Sequence, residues 1–394
     1  MKIGILTFHR SINNGAFMQC YSLCKKLQAD FPQHEISVID YGMPKVDEAL
    51  YPATLKQYIA GAATPKRKVH LALNLLKDPG ILRRQREKNA AFASAVKQLP
   101  LSQKKIYSND TKELFEYIDK SFDVVISGSD AVWNYTLRGF PNPYFLDEGI
   151  GAAKLSYAAS CFGMNYEKIP ESEAKKIKTI FDSYRFLGVR DSESEKFAKM
   201  TGTSVSPVHT CDPTVFLNVN ELPVDKKLLE RKLLDAGYDF DRETLCVMAD
   251  DKLCSMVKEK FGRDYQIVSL FNYSKYADVN LYGINPFEWA SVFGLFRLTI
   301  TTYFHGTLLS LRNGTPAAVL ALDTEYTRNH ISKTLDFLTR VGLEKWYFTD
   351  IMSLGAGAEE ILKKDRKEEI ISAMNKEAES YNVFKECLKG ILEE

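Results

Sequence analysis

The chain carries six histidines, and one of them, His305, stands where proton transfer is feasible. Residues 301–307 read Thr301, Thr302, Tyr303, Phe304, His305, Gly306 and Thr307; they leave a predicted strand at 298–302 and enter a helical pattern that ends near Asn313 and Gly314. An imidazole at a helix start sits among backbone amides that attract anions and can carry a proton near neutral pH, so this turn can hold an anion and protonate it. A histidine satisfied by its packing is the competing reading. A second cluster, Gly128, Ser129, Asp130, Ala131, Val132, Trp133 and Asn134, follows an apolar run at 124–126. Its carboxylate can accept sugar hydroxyls while the indole stacks on the apolar face of a pyranose. The alternative makes Asp130 a helix cap and Trp133 a core residue.

At 188–192, Gly188, Val189, Arg190, Asp191 and Ser192 place an arginine at the end of a predicted strand. Its planar fork matches a carboxylate or phosphate at two points, and an ion pair with Asp191 or Asp212 is the default alternative. Asn13, Asn14, Gly15 and Ala16 follow the first predicted strand, where a helix start offers amides to an anion or a hydroxyl; Asn-Gly pairs are also common turns. Asp212, Pro213 and Thr214 read as a tight turn. His9 ends the first strand, whereas His34, His70 and His330 fall in segments that look exposed. Neither these nor the seven cysteines, with Cys20 and Cys24 one helical turn apart, show metal-ligand spacing. The sequence has no phosphate-binding loop and no dinucleotide glycine fingerprint, which argues against a kinase or a dehydrogenase.

Elements that would position these residues alternate along the chain. Predicted strands cover 2–8, 35–41, 123–127, 155–159, 186–189 and 208–211, with a helix over 15–27 and helical stretches between most strands; this is the pattern of a parallel sheet. A second series follows, with strands at 245–249, 266–270, 298–302 and 317–321 and helices at 286–296 and 306–312. The expected division is 1–220 as a first domain, 221–350 as a second, and 351–394 as amphipathic helices packing back across both, with the linker at 217–225. A length of 394 residues suits two cores rather than one. Residues 60–100 read as a basic helical insertion: Lys66, Arg67, Lys68, Lys77, Arg83, Arg84, Arg86 and Lys88 fit either a solvated face or contact with an anionic membrane surface. A net charge of +1 disfavours nucleic acid as a partner, because no global field attracts it. The short apolar N-terminus, the free thiols and the lack of any spanning run point to the cytoplasm.

Taken in order, these clusters resemble the polysaccharide pyruvyl transferase family. The resemblance rests on Asn14, Gly15, Ala16 and Gln19; on Gly128, Ser129, Asp130, Val132, Trp133 and Asn134; on Tyr144, Phe145 and Leu146; on Lys154, Leu155, Ser156, Tyr157, Ala158, Ala159 and Ser160; on Val189 and Arg190; on Asp212, Pro213 and Thr214; and on Phe304, His305, Gly306 and Thr307. The chain departs from the family pattern at Ala131, Gly188, Asp191 and Cys161. The resemblance implies an α/β fold of two Rossmann-like domains in a glycosyltransferase-B-like arrangement with a central cleft. It implies phosphoenolpyruvate as donor substrate, no other cofactor and no metal, a saccharide acceptor that is free or lipid-linked at the inner membrane face, and a pyruvate ketal as product. His305 and Arg190 are then expected to be catalytic, with Asn14, Gly15, Gly128, Ser129, Asp130, Trp133, Asn134, Phe304, Gly306, Thr307 and Arg328 contacting substrates. A nucleotide-sugar glycosyltransferase of the same fold, or a non-catalytic saccharide-binding protein, is the alternative.

Overall fold

Short β-branched, apolar runs become strands buried on both faces, and the amphipathic runs between them become the crossovers that parallel strands require. In the computed structural model, residues 1–44, 69, 80–136, 139–270 and 272–394 are described. The chain divides into two compact units, Met1–Thr210 with Val383–Glu394, and Cys211–Asn382.

The first unit contains β1 (Lys2–Leu6), α1 (Asn14–Asp30), β2 (Glu35–Val38), β3 (Tyr41–Gly42), α2 (Ile81–Val96), β4 (Ile106–Tyr107), α3 (Lys112–Ser121), β5 (Val124–Asp130), β6 (Ala153–Ala159), α4 (Glu171–Asp182), β7 (Phe186–Val189), α5 (Ser192–Met200) and β8 (Pro207–His209). Its main sheet runs β2-β1-β5-β6-β7-β8 with parallel pairings throughout, beside a small β3-β4 pair. From β1 the chain first builds outward to β2 and then resumes on the other side at β5. The order therefore reverses between β1 and β5, and in such sheets ligands bind beyond the carboxyl ends at the reversal.

The second unit contains α6 (Lys226–Asp235), β9 (Thr244–Met248), α7 (Asp251–Phe261), β10 (Gln266–Leu270), β11 (Val279–Leu281), α8 (Pro286–Ser291), β12 (Leu298–Thr301), α9 (Phe304–Arg312), β13 (Ala317–Leu320), α10 (Glu325–Asn329), α11 (Lys333–Val341), β14 (Tyr347–Phe348), α12 (Ile351–Leu362), α13 (Lys367–Ala378) and the start of α14 (Tyr381–Glu393). The sheet runs β11-β10-β9-β12-β13-β14, again all parallel. Here the reversal lies between β9 and β12.

The units meet the expected domain bounds only in part, for reasons visible in the packing. Residues 217–225 are no free linker: Leu217 and Leu222 are buried, the Arg312 guanidinium donates to the Leu217 carbonyl, and the Phe216 ring lies 5.0 Å from Tyr381. These contacts place the division at Thr210 rather than at residue 220. Most of 351–394 also stays with the second unit, where Ile361, Ile370 and Met374 are buried and Glu377 pairs with Arg340 at 3.0 Å. Only Val383–Glu394 joins the first unit, with the Phe384 ring 4.8 Å from Tyr157 and 5.5 Å from Phe186. Of the expected basic insertion, 60–68 and 70–79 lie outside the described residues; Ile81–Val96 forms α2, anchored where Phe92 meets Phe17 at 5.6 Å. Among the described residues no helix is long and apolar enough to cross a membrane.

Candidate active-site residues

His305 occupies the reversal point of the second sheet. The turn from β12 into α9 is pinned to the end of β9: Thr301 Oγ1 donates to the Met248 carbonyl at 3.1 Å, accepts from the Tyr303 amide at 2.9 Å, and the Thr302 amide donates to the same carbonyl at 3.2 Å. Gly306 is required there because a Cβ would lie 2.6 Å from Thr301 Oγ1 and 3.1 Å from Met248 Sδ, so only glycine lets α9 begin this close to the sheet. His305 is the second helical residue, half-buried, with its ring 5.2 Å from that of Phe304 and nearly perpendicular to it. No side-chain cap closes the first turn of α9, so its amides keep the positive end of the helix dipole beside the imidazole.

Two neighbours expected to touch substrate serve the scaffold instead. Thr307 is fully buried and its hydroxyl bonds back to the Tyr303 carbonyl at 3.2 Å; Phe304 is buried with its ring 5.9 Å from Phe337. Arg328 lies on the exposed α10, held at two points by Asp323 at 2.6 and 2.9 Å. The cation near this turn is one that sequence reasoning passed over: Lys333 Nζ sits 5.4 Å from the centre of the Phe304 ring. Nothing in the spacing of Lys333 and Phe304 along the chain signals this contact.

In the first unit the reversal point is bridged by Thr7, whose hydroxyl donates to the Ser129 carbonyl at 3.0 Å. Gly128 has φ +125 and a Cβ there would meet the Tyr157 carbonyl oxygen at 2.1 Å, so β5 passes a place closed to any side chain. Asp130 follows with φ +85; its Oδ1 accepts from the Ala131 amide at 2.8 Å and lies 3.6 Å from Arg190 Nη2. Arg190 is 1% exposed and also stands 3.9 Å from Asp191. Asp191 in turn accepts from Ser160 Oγ and Ser194 Oγ, each at 2.6 Å. The guanidinium is thus set among carboxylates behind Asp130.

Trp133 is a correction. Its indole is fully buried, 4.7 Å from the Phe181 ring and stacked on Phe145 at 6.2 Å, so it fills the core and offers no face to a sugar. Asn134 is likewise spent on the scaffold, donating to the Phe162 carbonyl after β6 at 2.9 Å and accepting from the Thr136 amide at 3.0 Å. At the start of α1, Asn13 Oδ1 accepts from the amides of Gly15 at 3.0 Å and Ala16 at 3.3 Å. The amides expected to greet an anion are therefore capped from within, and Asn14 is buried beside them.

The same edge holds a triad that sequence spacing did not reveal. His9 is fully buried, with Nε2 and Nδ1 each 3.3 Å from Asp40 Oδ1 and the Thr7 carbonyl, while Arg10 grips both oxygens of Asp40, Nη2 to Oδ2 at 2.6 Å. Burial pushes the His9 pKa below its usual value despite the pull of Asp40. Burial alone would raise Asp40, but hydrogen bonds from His9 and Arg10 prevail and hold its carboxyl well below the ordinary range. A His at a strand end was the one available signal.

The family model described as polysaccharide pyruvyl transferase matches residues 13–324. The chain belongs to that family. The match takes in Asp130, Arg190 and His305 and stops short of Arg328. No curated protein matches the chain in sequence. Among solved structures, the UDP-GlcNAc 2-epimerase from Neisseria meningitidis bound to UDP-GlcNAc superposes with a TM-score of 0.57 at 9% identity, covering 99% of this chain and 100% of that one. A protein described as a UDP-N-acetylglucosamine 2-epimerase from Listeria monocytogenes gives 0.53 at 12% identity, covering 100% and 96%. At such identities the likeness extends to the fold, a pair of Rossmann-like domains.

Proposed function

We propose that this member of the family moves the pyruvyl group of phosphoenolpyruvate onto hydroxyls of a sugar in a surface polysaccharide or its lipid-linked precursor, forming a pyruvate ketal. The observation that carries the reading is His305, a half-buried imidazole at an uncapped helix start on the reversal point of the second sheet, within the residues matched to the family.

In this scheme the protonated imidazole of His305 delivers its proton to the methylene carbon of the donor, and C2 becomes electrophilic. A sugar hydroxyl adds to C2 and gives up its proton, which restores the imidazolium. Phosphate then leaves with the C–O bonding electrons, and a second hydroxyl closes the ketal, its proton passing to phosphate. The first turn of α9 and Lys333 supply positive potential for the donor's phosphate and carboxylate. In the first unit Ser129 and Asp130 are the groups offered to sugar hydroxyls, and Arg190 acts through Asp130 by fixing its carboxylate. No cofactor beyond the donor enters, and the reaction belongs to the cytoplasmic side, where a lipid-linked acceptor would present its sugar.

The test is incubation with phosphoenolpyruvate and a panel of lipid-linked and simple glycosides, with phosphate release followed and the product weighed by mass spectrometry. His305→Ala should lower the rate by about 100- to 10,000-fold. Near-normal phosphate release by that variant with a true acceptor would remove the proton-donor role.

A further inference from the structure

Four tyrosines among the described residues are strongly exposed: Tyr107 at 47%, Tyr273 at 52%, Tyr276 at 36% and Tyr303 at 36%. Three of them gather beyond the carboxyl edge of the second sheet. Tyr273 and Tyr276 follow β10, and Tyr303 precedes His305 by two residues in the turn after β12. An exposed phenol ring loses hydrophobic stabilisation, so such a concentration at one edge of one sheet calls for a cause.

Residues 272–280, which carry Tyr273 and Tyr276, are tied down at several points. Ser269 Oγ at the end of β10 donates to the Asn272 carbonyl at 2.6 Å, and Ser274 Oγ donates to Asp251 at the start of α7, also at 2.6 Å. Asn280 of β11 accepts from the Ser274 amide at 2.7 Å and donates to its carbonyl at 3.0 Å. Asn272 Nδ2 reaches the Tyr303 hydroxyl at 3.4 Å, which joins the loop to the turn bearing the imidazole. Tyr282, after β11, braces Tyr273 with ring centres 6.5 Å apart. Backbone held in this way presents the rings with little entropy left to lose when a ligand covers them, which is the arrangement a recognition surface needs.

We infer that Tyr273 and Tyr303 form a stacking platform for a pyranose ring of the acceptor saccharide, flanked by Tyr276 with Lys275 4.9 Å above it. Phosphoenolpyruvate is a small anion with no apolar face, so it gains nothing from exposed phenols; a pyranose has an apolar face for the rings and hydroxyls for Asn272 and Lys275. The inference rests on the transferase reading and deepens it, because it gives the second unit a role in choosing the acceptor.

The experiment measures KM for both substrates in Tyr273→Ala and Tyr303→Ala, with Tyr273→Phe as the partner that keeps the ring. The alanine variants should raise the acceptor KM about tenfold while the donor KM stays put, and Tyr273→Phe should stay near wild type. An unchanged acceptor KM in both alanine variants, or a rise in the donor KM instead, overturns the platform. A second measurement needs no turnover: NMR of ring-labelled tyrosine in the full chain, titrated with methyl glycosides and oligosaccharides, phosphoenolpyruvate, or UDP. Shifts of Tyr273 and Tyr303 with saccharide alone support the platform even if no pyruvyl product ever forms, whereas shifts with UDP and none with saccharide refute it.

Discussion

Replacing Gly306 by alanine tests the turn that holds the proton donor. A Cβ at this position lies 2.6 Å from Thr301 Oγ1, and ordinary contact begins at 3.4 Å, so the hydroxyl must retreat by 3.4 − 2.6 = 0.8 Å. It has no free direction, since it already donates to the Met248 carbonyl at 3.1 Å and accepts from the Tyr303 amide at 2.9 Å. Rotating it away forfeits those bonds at about 1 kcal/mol each, and moving the start of α9 instead costs about 1–3 kcal/mol as overpacking. Either way the second unit should lose about 2 kcal/mol. The displaced helix start carries His305 with it, and a misplacement near 1 Å costs on the order of 100-fold in rate, so phosphate release should fall roughly 30- to 100-fold. Denaturant unfolding and a phosphate-release assay read the two effects separately. Combining Gly306→Ala with Thr301→Ala relieves the worst overlap, so the pair should be less damaged than the sum by at least about 0.5 kcal/mol. Full activity and an unmoved unfolding midpoint in Gly306→Ala, or strict additivity in the pair, would refute the steric argument.

The first unit supplies the remaining expectations. Trp133→Ala should cost about 3–5 kcal/mol by emptying an aromatic core while leaving the acceptor KM of the folded fraction unchanged, so a large rise in that KM without lost stability would return the indole to the site. Arg190→Gln leaves Asp130 and Asp191 without their shared cation and should destabilise by about 3–5 kcal/mol in thermal unfolding. Intact stability with a sharply raised donor KM would instead mean that the guanidinium touches the donor itself. Because the pKa of His9 is depressed, its contribution is present above the ordinary histidine value and lost as pH falls, since the unfolded chain takes up a proton that the buried ring resists. Asp40, also depressed, adds acid sensitivity in the carboxylate range below that. His9→Gln should therefore flatten the decline of stability below about pH 6.5, where one such group contributes a slope of at most about 1.4 kcal/mol per pH unit; identical slopes in both proteins would sink the assignment.

Local sequence carried much of this protein openly. Strands such as 245–249 and 317–321 are short continuous apolar runs because a parallel sheet is covered on both faces, and the turn around His305 showed as a strand end, a polar stretch and a helix start within a few residues. What distinguishes a ligand-facing side chain from a packed one did not show, since it depends on neighbours far away in sequence. Trp133 beside Asp130 has the composition of a sugar site, yet Phe145, Phe181 and Phe197 close over the indole. His9 and Asp40 meet only because β1 and β2 pair in a register that sets Ile5 against Val38, which brings the two strand ends together. The supposed linker at 217–225 is polar enough to read as one, but Arg312 and Tyr381 draw it into the second unit. Periodicity records which way each residue faces its own element, and so the amino-acid sequence by itself determined the strands, the helices and the His305 turn. The sheet order, and with it the two reversal points, is a matter of long-range pairing, so tertiary structure alone decided which polar residues stand at a ligand-binding edge and which merely hold it in place.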